Sequence, residues 1–310
     1  MLTKKRVNND IKVLTFNIFW AAMMASESSA KKGKLAEVCY QLKENHSENK
    51  NVCLHNVVNF FDNTIKTYGN LDFIAIQEAC GWKEIIESSK YLKKMGFIHH
   101  SIKIDEGSKA DYCTIYNHLK YDLLGFKCGD ISTARPYHIL FLQNKKTKER
   151  IIFINFHNDH GVNHIELSKA LSKNLKKGII CSGNRFQFEN SEKIKEVDIS
   201  SLLDDNYHII TAGDTNDHGK YDYWKGITPL TIPPFKNIKV STHSNKPPKT
   251  CCSLYRLKKG EDSKYGDYIM ISDGLKYRRP NFVPRTFKSD FRKTPTSDHL
   301  PSMAHIMIKK

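Results

Sequence analysis

Six short polar motifs are spread along the chain, and each follows or opens an apolar run. They are Leu14-Thr15-Phe16-Asn17, Ile76-Gln77-Glu78, Asn155-Phe156-His157, Gly213-Asp214-Thr215-Asn216, Gly266-Asp267-Tyr268 and Ser297-Asp298-His299. Carboxylates hold hard cations, imidazoles exchange protons, and amides hydrogen-bond anionic oxygens. Metal-assisted hydrolysis of a phosphate ester uses these groups together. Because α/β proteins place their chemistry at strand ends, we expect the motifs to meet at one rim of a sheet.

Short buried strands are predicted beside most of the motifs, from apolar runs rich in β-branched and aromatic residues. These strands are Ile11–Asn17, Phe73–Ile76, His208–Ala212, Tyr268–Ile271 and Met303–Ile308. An amphipathic helix is predicted before the second strand, because Leu54, Val57, Val58, Phe61 and Ile65 share one helical face. Gly69-Asn70 provides its stop signal.

The remaining segments have weaker patterns. A helix is predicted over Trp82–Lys94, and another carries Leu167, Leu171 and Leu175. Between them, residues 97–156 contain short β-rich runs that indicate a largely antiparallel meander. Residues 21–51 are rich in small and charged side chains, so we predict a surface insertion with one short helix around Leu35–Leu42.

The bulk composition sets limits on location and partners. The formal net charge of +16 would attract polyanions such as nucleic acid, although lysine is abundant throughout the chain. No apolar run approaches the roughly 20 residues that span a bilayer, and the N-terminal residues lack a signal-peptide core. An intracellular protein, cytoplasmic or nuclear, without stable membrane insertion is predicted. The eight cysteines have no repeated spacing, so we expect reduced, buried thiols.

The order of strands, helices and motifs resembles the endonuclease/exonuclease/phosphatase superfamily, which has the deoxyribonuclease I-like fold. The resemblance covers about residues 10–308, and it implies a single domain over residues 1–310. The implied fold class is an α/β (α+β) four-layer sandwich, in which two mixed β-sheets pack face to face with helices outside. The most specific match is the terminal Ser-Asp-His, one strand before the chain ends.

The resemblance also implies residue roles. The metal site would consist of Asn17, Glu78 and Asp298 and would bind Mg²⁺ or Mn²⁺, which prefer oxygen ligands. The implied catalytic residues are His157, Asp214, Asn216, Asp267 and His299. Candidate substrate-binding residues at the rim are Asp159, His160, Asp217 and His218.

These roles predict a divalent-metal-dependent phosphodiesterase that hydrolyses nucleic acid, with water as the nucleophile. Gly-Asp-Thr-Asn resembles the tyrosyl-DNA phosphodiesterase group, whereas Ser-Asp-His-Leu-Pro resembles the deadenylase-like group. The family's mid-chain motif usually has Thr before its His, and this chain has Phe156 there.

Several alternatives remain open from the sequence. A phosphoinositide phosphatase, a sphingomyelinase-like enzyme or an inactive binding scaffold of the same fold would share these motifs. Taken singly, Asn17 and Asp214 also suit turns, and Glu78 suits a helix cap. His157, His160 and His164 could form a zinc site, but such a site would leave the other motifs unexplained.

Overall fold

The structure of the protein, a computed structural model, describes residues 10–105, 108–132, 135–159, 207–216, 230–231, 239–241, 248–250, 266–288 and 294–309. The helices are α1 Trp20–Met24, α2 Glu27–Ala30, α3 Lys34–Glu44, α4 Val52–Tyr68 and α5 Trp82–Ser88, followed by a 3₁₀ turn at Leu92–Lys94. The strands are β1 Ile11–Asn17, β2 Phe73–Gln77, β3 Gly96–Asp105, β4 Ser108–Tyr116, β5 Tyr121–Ser132, β6 Arg135–Asn144, β7 Arg150–His157, β8 Tyr207–Asp214, β9 Leu230–Thr231, β10 Lys239–Ser241, β11 Asp267–Ser272, β12 Leu275–Phe282 and β13 Ser302–Ile308.

The strands form two mixed sheets. The first has the order β12-β13-β1-β2-β4-β3, and the second has the order β5-β6-β7-β8-β11-β10-β9. In each sheet one pair is parallel, β1 with β2 and β7 with β8, and both pairs end at the candidate site. The two sheets pack face to face through one apolar cluster, in which the ring of Phe73 stacks on that of Phe153 at 4.8 Å. This is the predicted α/β sandwich of two mixed sheets with helices outside.

Alternation along β1 explains the layers. Val13 points to the second sheet, whereas Leu14 and Phe16 point to the helices on the outer face. The helix α4 covers that face with the predicted apolar residues. It begins where Asn51 Oδ1 accepts a hydrogen bond from the amide of Leu54, and it ends before Gly69, whose φ of 80° suits glycine.

The segment 21–51 combines exposed residues with residues that pack on the sandwich. Its helix near Leu35–Leu42 is confirmed as α3, and two further helices, α1 and α2, precede it. Ala21, Ala22, Leu35 and Ala36 are buried in the cluster beneath the first sheet. The small side chains of Ala21, Ala22 and Ala36 leave room for these helices to pack against the sheet. Whether the segment is an insertion stays a prediction.

The cysteine prediction is wrong in part. Cys39 of α3 and Cys53 of α4 form a disulfide, and Cys128 is disulfide-bonded as well. Cys113 is a buried thiol, as expected. Pairing depends on which helices pack together, and sequence spacing carries no information about that.

Three further differences concern the elements. The meander divides between the sheets, with β3 and β4 in the first and β5, β6 and β7 in the second. The helix predicted over Trp82–Lys94 breaks into α5 and the 3₁₀ turn. The strand β12 was not predicted, because it contains Pro280, which an edge strand tolerates.

The helix predicted around Leu171 falls outside the described residues. Within the described part of the chain, every helix is too short or too polar to cross a bilayer.

Candidate active site

Strand register brings five of the motifs to one rim of the sandwich. Asn17 ends β1 opposite Gln77, so Glu78 follows β2 at the same level. In the second sheet, His157 ends β7 opposite Asp214, which ends β8. The strand β11 runs antiparallel to β8 and therefore begins at this rim, with Asp267 opposite Asp214.

The side chain of Asn17 connects the two sheets across the rim. Its amide Nδ2 donates to Glu78 Oε1 and to Asp214 Oδ2, both at 3.1 Å. Its Oδ1 accepts from the amide of Phe19 at 3.0 Å, which fixes the orientation of the side chain. Asn17 therefore makes the turn contact suggested by its type and also joins the two candidate carboxylates.

Glu78 adopts a left-handed conformation, with a φ of 51°, just after β2. Such backbone is costly for a residue with a Cβ and is often found at functional sites. Glu78 does not cap the following helix α5, whose N-cap is Gly81. Instead, its Oε2 accepts a hydrogen bond from the amide of Trp20 at 3.1 Å. The carboxylate is thus held from two directions.

The sixth motif reaches the rim through its own hydrogen bonds. Ser297 Oγ donates to the carbonyl of Asn17 at 2.6 Å and accepts from the amide of His299 at 3.1 Å. These bonds hold the loop before β13 against the end of β1, and Asp298 is buried there. Burial, and then the negative charge of Asp298, raise the pKa of Glu78. The two carboxylates therefore repel each other.

A buried imidazole lies between two other carboxylates. His299 Nδ1 is 2.9 Å from Asp267 Oδ2, and His299 Nε2 is 3.8 Å from Asp214 Oδ2. Burial lowers the pKa of His299, but the facing charges of Asp267 and Asp214 outweigh it and raise the pKa to about 10. Burial likewise would raise the pKa of Asp214, yet His299 and His157 bring it to about 2. This geometry is that of a protonated imidazole between two aspartates.

Arg135 at the start of β6 is a site residue that the sequence motifs missed. Its Nη1 is 2.6 Å from His157 Nε2, which in turn is 3.6 Å from Asp214 Oδ2 and 4.0 Å from Glu78 Oε1. The His157 ring therefore contacts a guanidinium and faces two carboxylates. Arg135 belongs to none of the motifs, and only its position at the start of a strand could have indicated it.

Asn216 ties two loops together. Its amide N–H donates to Asp214 Oδ1 at 2.9 Å, and its Nδ2 donates to the carbonyl of Asn158 at 2.7 Å. The first bond is the turn contact expected of an Asp-x-Asn sequence. Asp159 is partly exposed and lies 3.7 Å from Arg135. His160, Asp217 and His218, as well as His164 of the zinc alternative, lie outside the described residues.

A buried polar network supports the rim from below. Gln77 Nε2 and the Tyr112 hydroxyl donate to Asn155 Oδ1 at 2.8 Å and 2.6 Å. Asn155 Nδ2 donates in turn to Thr114 Oγ1 at 2.9 Å. Gln77 precedes Glu78, and Asn155 lies two residues before His157. The network therefore fixes the spacing between the two sheets where those side chains emerge.

Comparison with known structures identifies the fold. No family model matches the chain. An endonuclease/exonuclease/phosphatase from Bacteroides vulgatus superposes with a TM-score of 0.56 and 17% identity, covering 97% of this chain and 99% of that one. ANGEL2, a 2′,3′-cyclic phosphatase, in complex with adenosine-2′,3′-vanadate gives 0.56 and 16%, covering 97% and 96%. The chain has the endonuclease/exonuclease/phosphatase fold. A third structure with this fold, D. rerio TDP2 complexed with single strand DNA product, gives 0.50 and 10%, covering 97% and 100%.

A sequence relative is found in a virus. An uncharacterized protein of Acanthamoeba polyphaga mimivirus is 29% identical over 220 residues, which is 69% of this chain. The match covers 36% of the viral protein, so the chain spans about a third of the length of this curated relative.

Two groups of side chains in this endonuclease/exonuclease/phosphatase fold offer metal ligands. In one, atoms of Asp214, Asp267 and His299 all lie within 4.8 Å of one another. In that group, the protonated His299 already balances part of the negative charge of the two aspartates. The other group is Glu78 and Asp298, whose donors are all oxygens and whose carboxylates repel, with Asn17 beside Glu78. A hard cation would relieve that repulsion, so the second group fits Mg²⁺ better.

Proposed function

We propose that the protein is a divalent-metal-dependent phosphodiesterase that hydrolyses nucleic acid. The observation that carries the proposal is the charge balance of the rim. The carboxylates of Glu78, Asp214, Asp267 and Asp298 converge there beside two cationic groups, His299 and Arg135. Asp159 lies 3.7 Å from Arg135 as well, so five carboxylates against two cations leave an excess of negative charge that a divalent cation would offset.

Glu78 and Asp298 are the residues we assign to Mg²⁺ or Mn²⁺, and Asn17, predicted for the same site, lies beside Glu78. When bound, the ion supplies positive charge that neutralises the phosphate oxygens and lowers the barrier to attack. The hydrogen bonds from Asn17 and Trp20 hold the Glu78 carboxylate in one orientation, so it is ready to bind without rearrangement.

The neighbouring side chains suit the remaining tasks of hydrolysis. Asp214, with a pKa of about 2, is ionised at neutral pH and is better suited to orient a water molecule than to deprotonate it. His299, kept protonated by Asp267, would stabilise the charge that builds on the phosphate or donate a proton to the leaving oxygen. His157 and Arg135 would hydrogen-bond a phosphoryl oxygen. Asn216 would act mainly by holding Asp214 in place.

Nucleic acid is the substrate we favour. The net charge of +16 suits a polyanion. Two proteins with the same fold are described with an adenosine vanadate and with a single strand DNA product, so the fold accommodates nucleotide ligands at least in those proteins. Contacts from Asp159, His160, Asp217 and His218 to the substrate remain predictions, as do the single domain and the intracellular location.

A substrate panel tests the proposal. Single- and double-stranded DNA, RNA with a poly(A) tail, tyrosyl-DNA, a nucleoside 2′,3′-cyclic phosphate, phosphoinositides and sphingomyelin would be incubated with the protein and Mg²⁺, Mn²⁺ or chelator. We expect metal-dependent cleavage of a nucleic acid that Glu78→Gln and His299→Ala abolish. Glu149→Gln, a carboxylate beside His208 at the far end of β7, serves as the matched control.

The outcomes separate the alternatives. Turnover confined to phosphoinositides or sphingomyelin would replace the nuclease assignment with a lipid phosphohydrolase. Absence of turnover on every substrate, with circular dichroism confirming a folded protein, would favour the inactive scaffold. Cleavage that persists in chelator would remove the metal from the mechanism.

A further inference from the structure

A strip of exposed cations lies on an edge of the first sheet, apart from the candidate active site. The strand β12 is that edge, and residues 275–288 contain five lysines and arginines and no acidic residue. Arg278 pairs with the buried Asp10 at 2.6 Å. The other four are exposed and have no ion pair among the described residues; this basic edge comprises Lys276, Arg279, Arg285 and Lys288.

The basic edge runs away from the active-site rim. Phe282 pairs with Met303, one residue into β13, while Arg279 pairs with His305 and Lys276 with Met307. At about 3.3 Å per residue, the cations on β12 therefore lie at steps of roughly 7 Å below the rim. Since His299 is three residues before β13 begins, the edge adjoins the end of the sheet that carries the candidate site.

Aromatic rings accompany these cations. The guanidinium of Arg279 lies 3.4 Å from the ring centroid of Phe282, which holds the charge in a fixed position. Phe282 and His305 also lie beside Tyr68, whose hydroxyl accepts a hydrogen bond from the amide of Arg285. Interleaved cations and rings are what single-stranded nucleic acid binders present to phosphates and bases.

The cations of this surface act on a neighbouring histidine. Burial, and then the charges of Lys12 and Arg279, lower the pKa of His305, while Asp10 opposes them. Protection of an edge strand against pairing with another sheet would need only Lys276 and Pro280, because charges and proline on the strand suffice. Arg285 and Lys288 lie beyond the strand and are not explained by that requirement.

We propose that the basic edge is a second contact surface for nucleic acid, which binds the phosphate backbone of a single strand whose scissile phosphate lies at the rim. This inference rests on the proposed function and extends it, because it predicts preference for long polynucleotides over short ones. A dinucleotide would occupy the rim alone, whereas a longer strand would also reach Phe282 and the cations beyond it.

Binding of a labelled single strand of about 30 nucleotides, long against known sites of roughly 4–16 nucleotides, tests the proposal. Fluorescence anisotropy would be measured across a salt series in a Glu78→Gln background, so that the strand stays intact. The test variant replaces Lys276, Arg279, Arg285 and Lys288 with Gln. The control variant replaces Lys93, Lys94, Lys146 and Lys148 with Gln. These lysines are also exposed, so the control loses the same charge.

We expect the test variant to bind at least ten-fold more weakly at about 0.1 M salt, with a log–log salt slope smaller by about 2 to 3. The control variant should change affinity by less than about three-fold, and Arg279→Lys should keep the slope. Equal weakening in both four-site variants, or none in either, would overturn the proposal. So would binding to phosphatidylserine vesicles, but not to the oligonucleotide, that depends on these four residues.

Turnover of bis(p-nitrophenyl) phosphate separates this proposal from the proposed function. With Glu78 intact, the test variant should hydrolyse this small diester at the wild-type rate, because the basic edge touches no reacting atom. If the wild type hydrolyses no phosphodiester, the proposed function fails, while binding to the edge is still measured. If the four-site variant does not fold, the pairs Lys276→Gln/Arg279→Gln and Arg285→Gln/Lys288→Gln replace it.

Discussion

Carboxylates at the two rims of the sandwich differ in whether a cation accompanies them. At the rim where β1 and β2 begin, Asp72 lies 2.6 Å from Lys120 and Asp10 lies 2.6 Å from Arg278. At the rim where those strands end, Glu78 faces Asp298, and their charges repel. A carboxylate that serves only the fold is accompanied by its own cation. Carboxylates gathered without enough cations indicate that a ligand supplies the missing charge.

Glu78→Gln should give the largest effect and separate activity from stability. We expect kcat/KM to fall by at least about 10³-fold, roughly 4 kcal/mol, because the metal loses a charged ligand. The free energy of unfolding in chelator should stay equal or rise, since the substitution removes a repulsion. Steady-state kinetics would measure the loss of activity, and thermal melts with and without Mg²⁺ would measure the stability; Mg²⁺ should stabilise the wild type alone. A strongly destabilised Glu78→Gln would make Glu78 a structural residue.

The second-largest effect is expected for Arg135, a cation at the rim where negative charge is in excess. Arg135→Ala should lower kcat/KM by about 100-fold, roughly 2.7 kcal/mol, by removing a charged donor to the phosphate. Arg135→Lys should recover part of the loss, because the charge returns without the forked geometry. Steady-state kinetics on an oligonucleotide would decide, and identical rates for wild type and Arg135→Ala would exclude the residue from the site.

The opposite rim should respond in stability alone. Lys120→Gln leaves the buried charge of Asp72 without its nearest cation, although the amide of Lys12 still donates to it. We expect a loss of about 2 kcal/mol in unfolding free energy, less than for a fully buried pair because Lys120 is partly exposed. Urea melts would measure this change. A fall in kcat for the folded protein would contradict the division between the two rims.

A smaller effect concerns pH. The pKa of Glu78 in the folded state is raised above its ordinary 4.5 by burial and by Asp298, so the folded state holds that proton more tightly than the unfolded state does. Stability contributed by this group is therefore lost as pH rises through its folded-state pKa. In chelator, Glu78→Gln should gain on the wild type by up to about 1.4 kcal/mol per pH unit between pH 4.5 and the folded-state pKa of Glu78, and by nothing further above it. A constant difference across that range would contradict the repulsion.

Local patterns revealed most of the strands that carry the site. The alternation in Ile11–Asn17 and the helical face from Leu54 to Ile65 each reflect burial against one neighbouring layer, which sequence periodicity records directly. The polar residues at the strand ends could be found because their types are unusual beside apolar runs. Register then brought Asn17, Glu78 and Asp214 together, as the motifs predicted.

Features that depend on distant partners were not visible in the sequence. Arg135 belongs to the site because it contacts His157 on the neighbouring strand β7. The disulfide from Cys39 to Cys53 depends on the packing of two helices. The basic edge could not be recognised from the sequence, because lysine is common throughout the chain. Only the structure distinguishes Lys120, which pairs with Asp72, from Lys276, which has no ion pair within the described part of the chain.

Anomalous diffraction from crystals soaked in Mn²⁺ tests the central claim most directly. We predict one ion with carboxylate oxygens of both Glu78 and Asp298 at about 2.0–2.2 Å, close to Asn17, with waters completing its coordination. An ion held instead by Asp214, Asp267 and His299, or no ion at this rim at saturating Mn²⁺, would contradict the account.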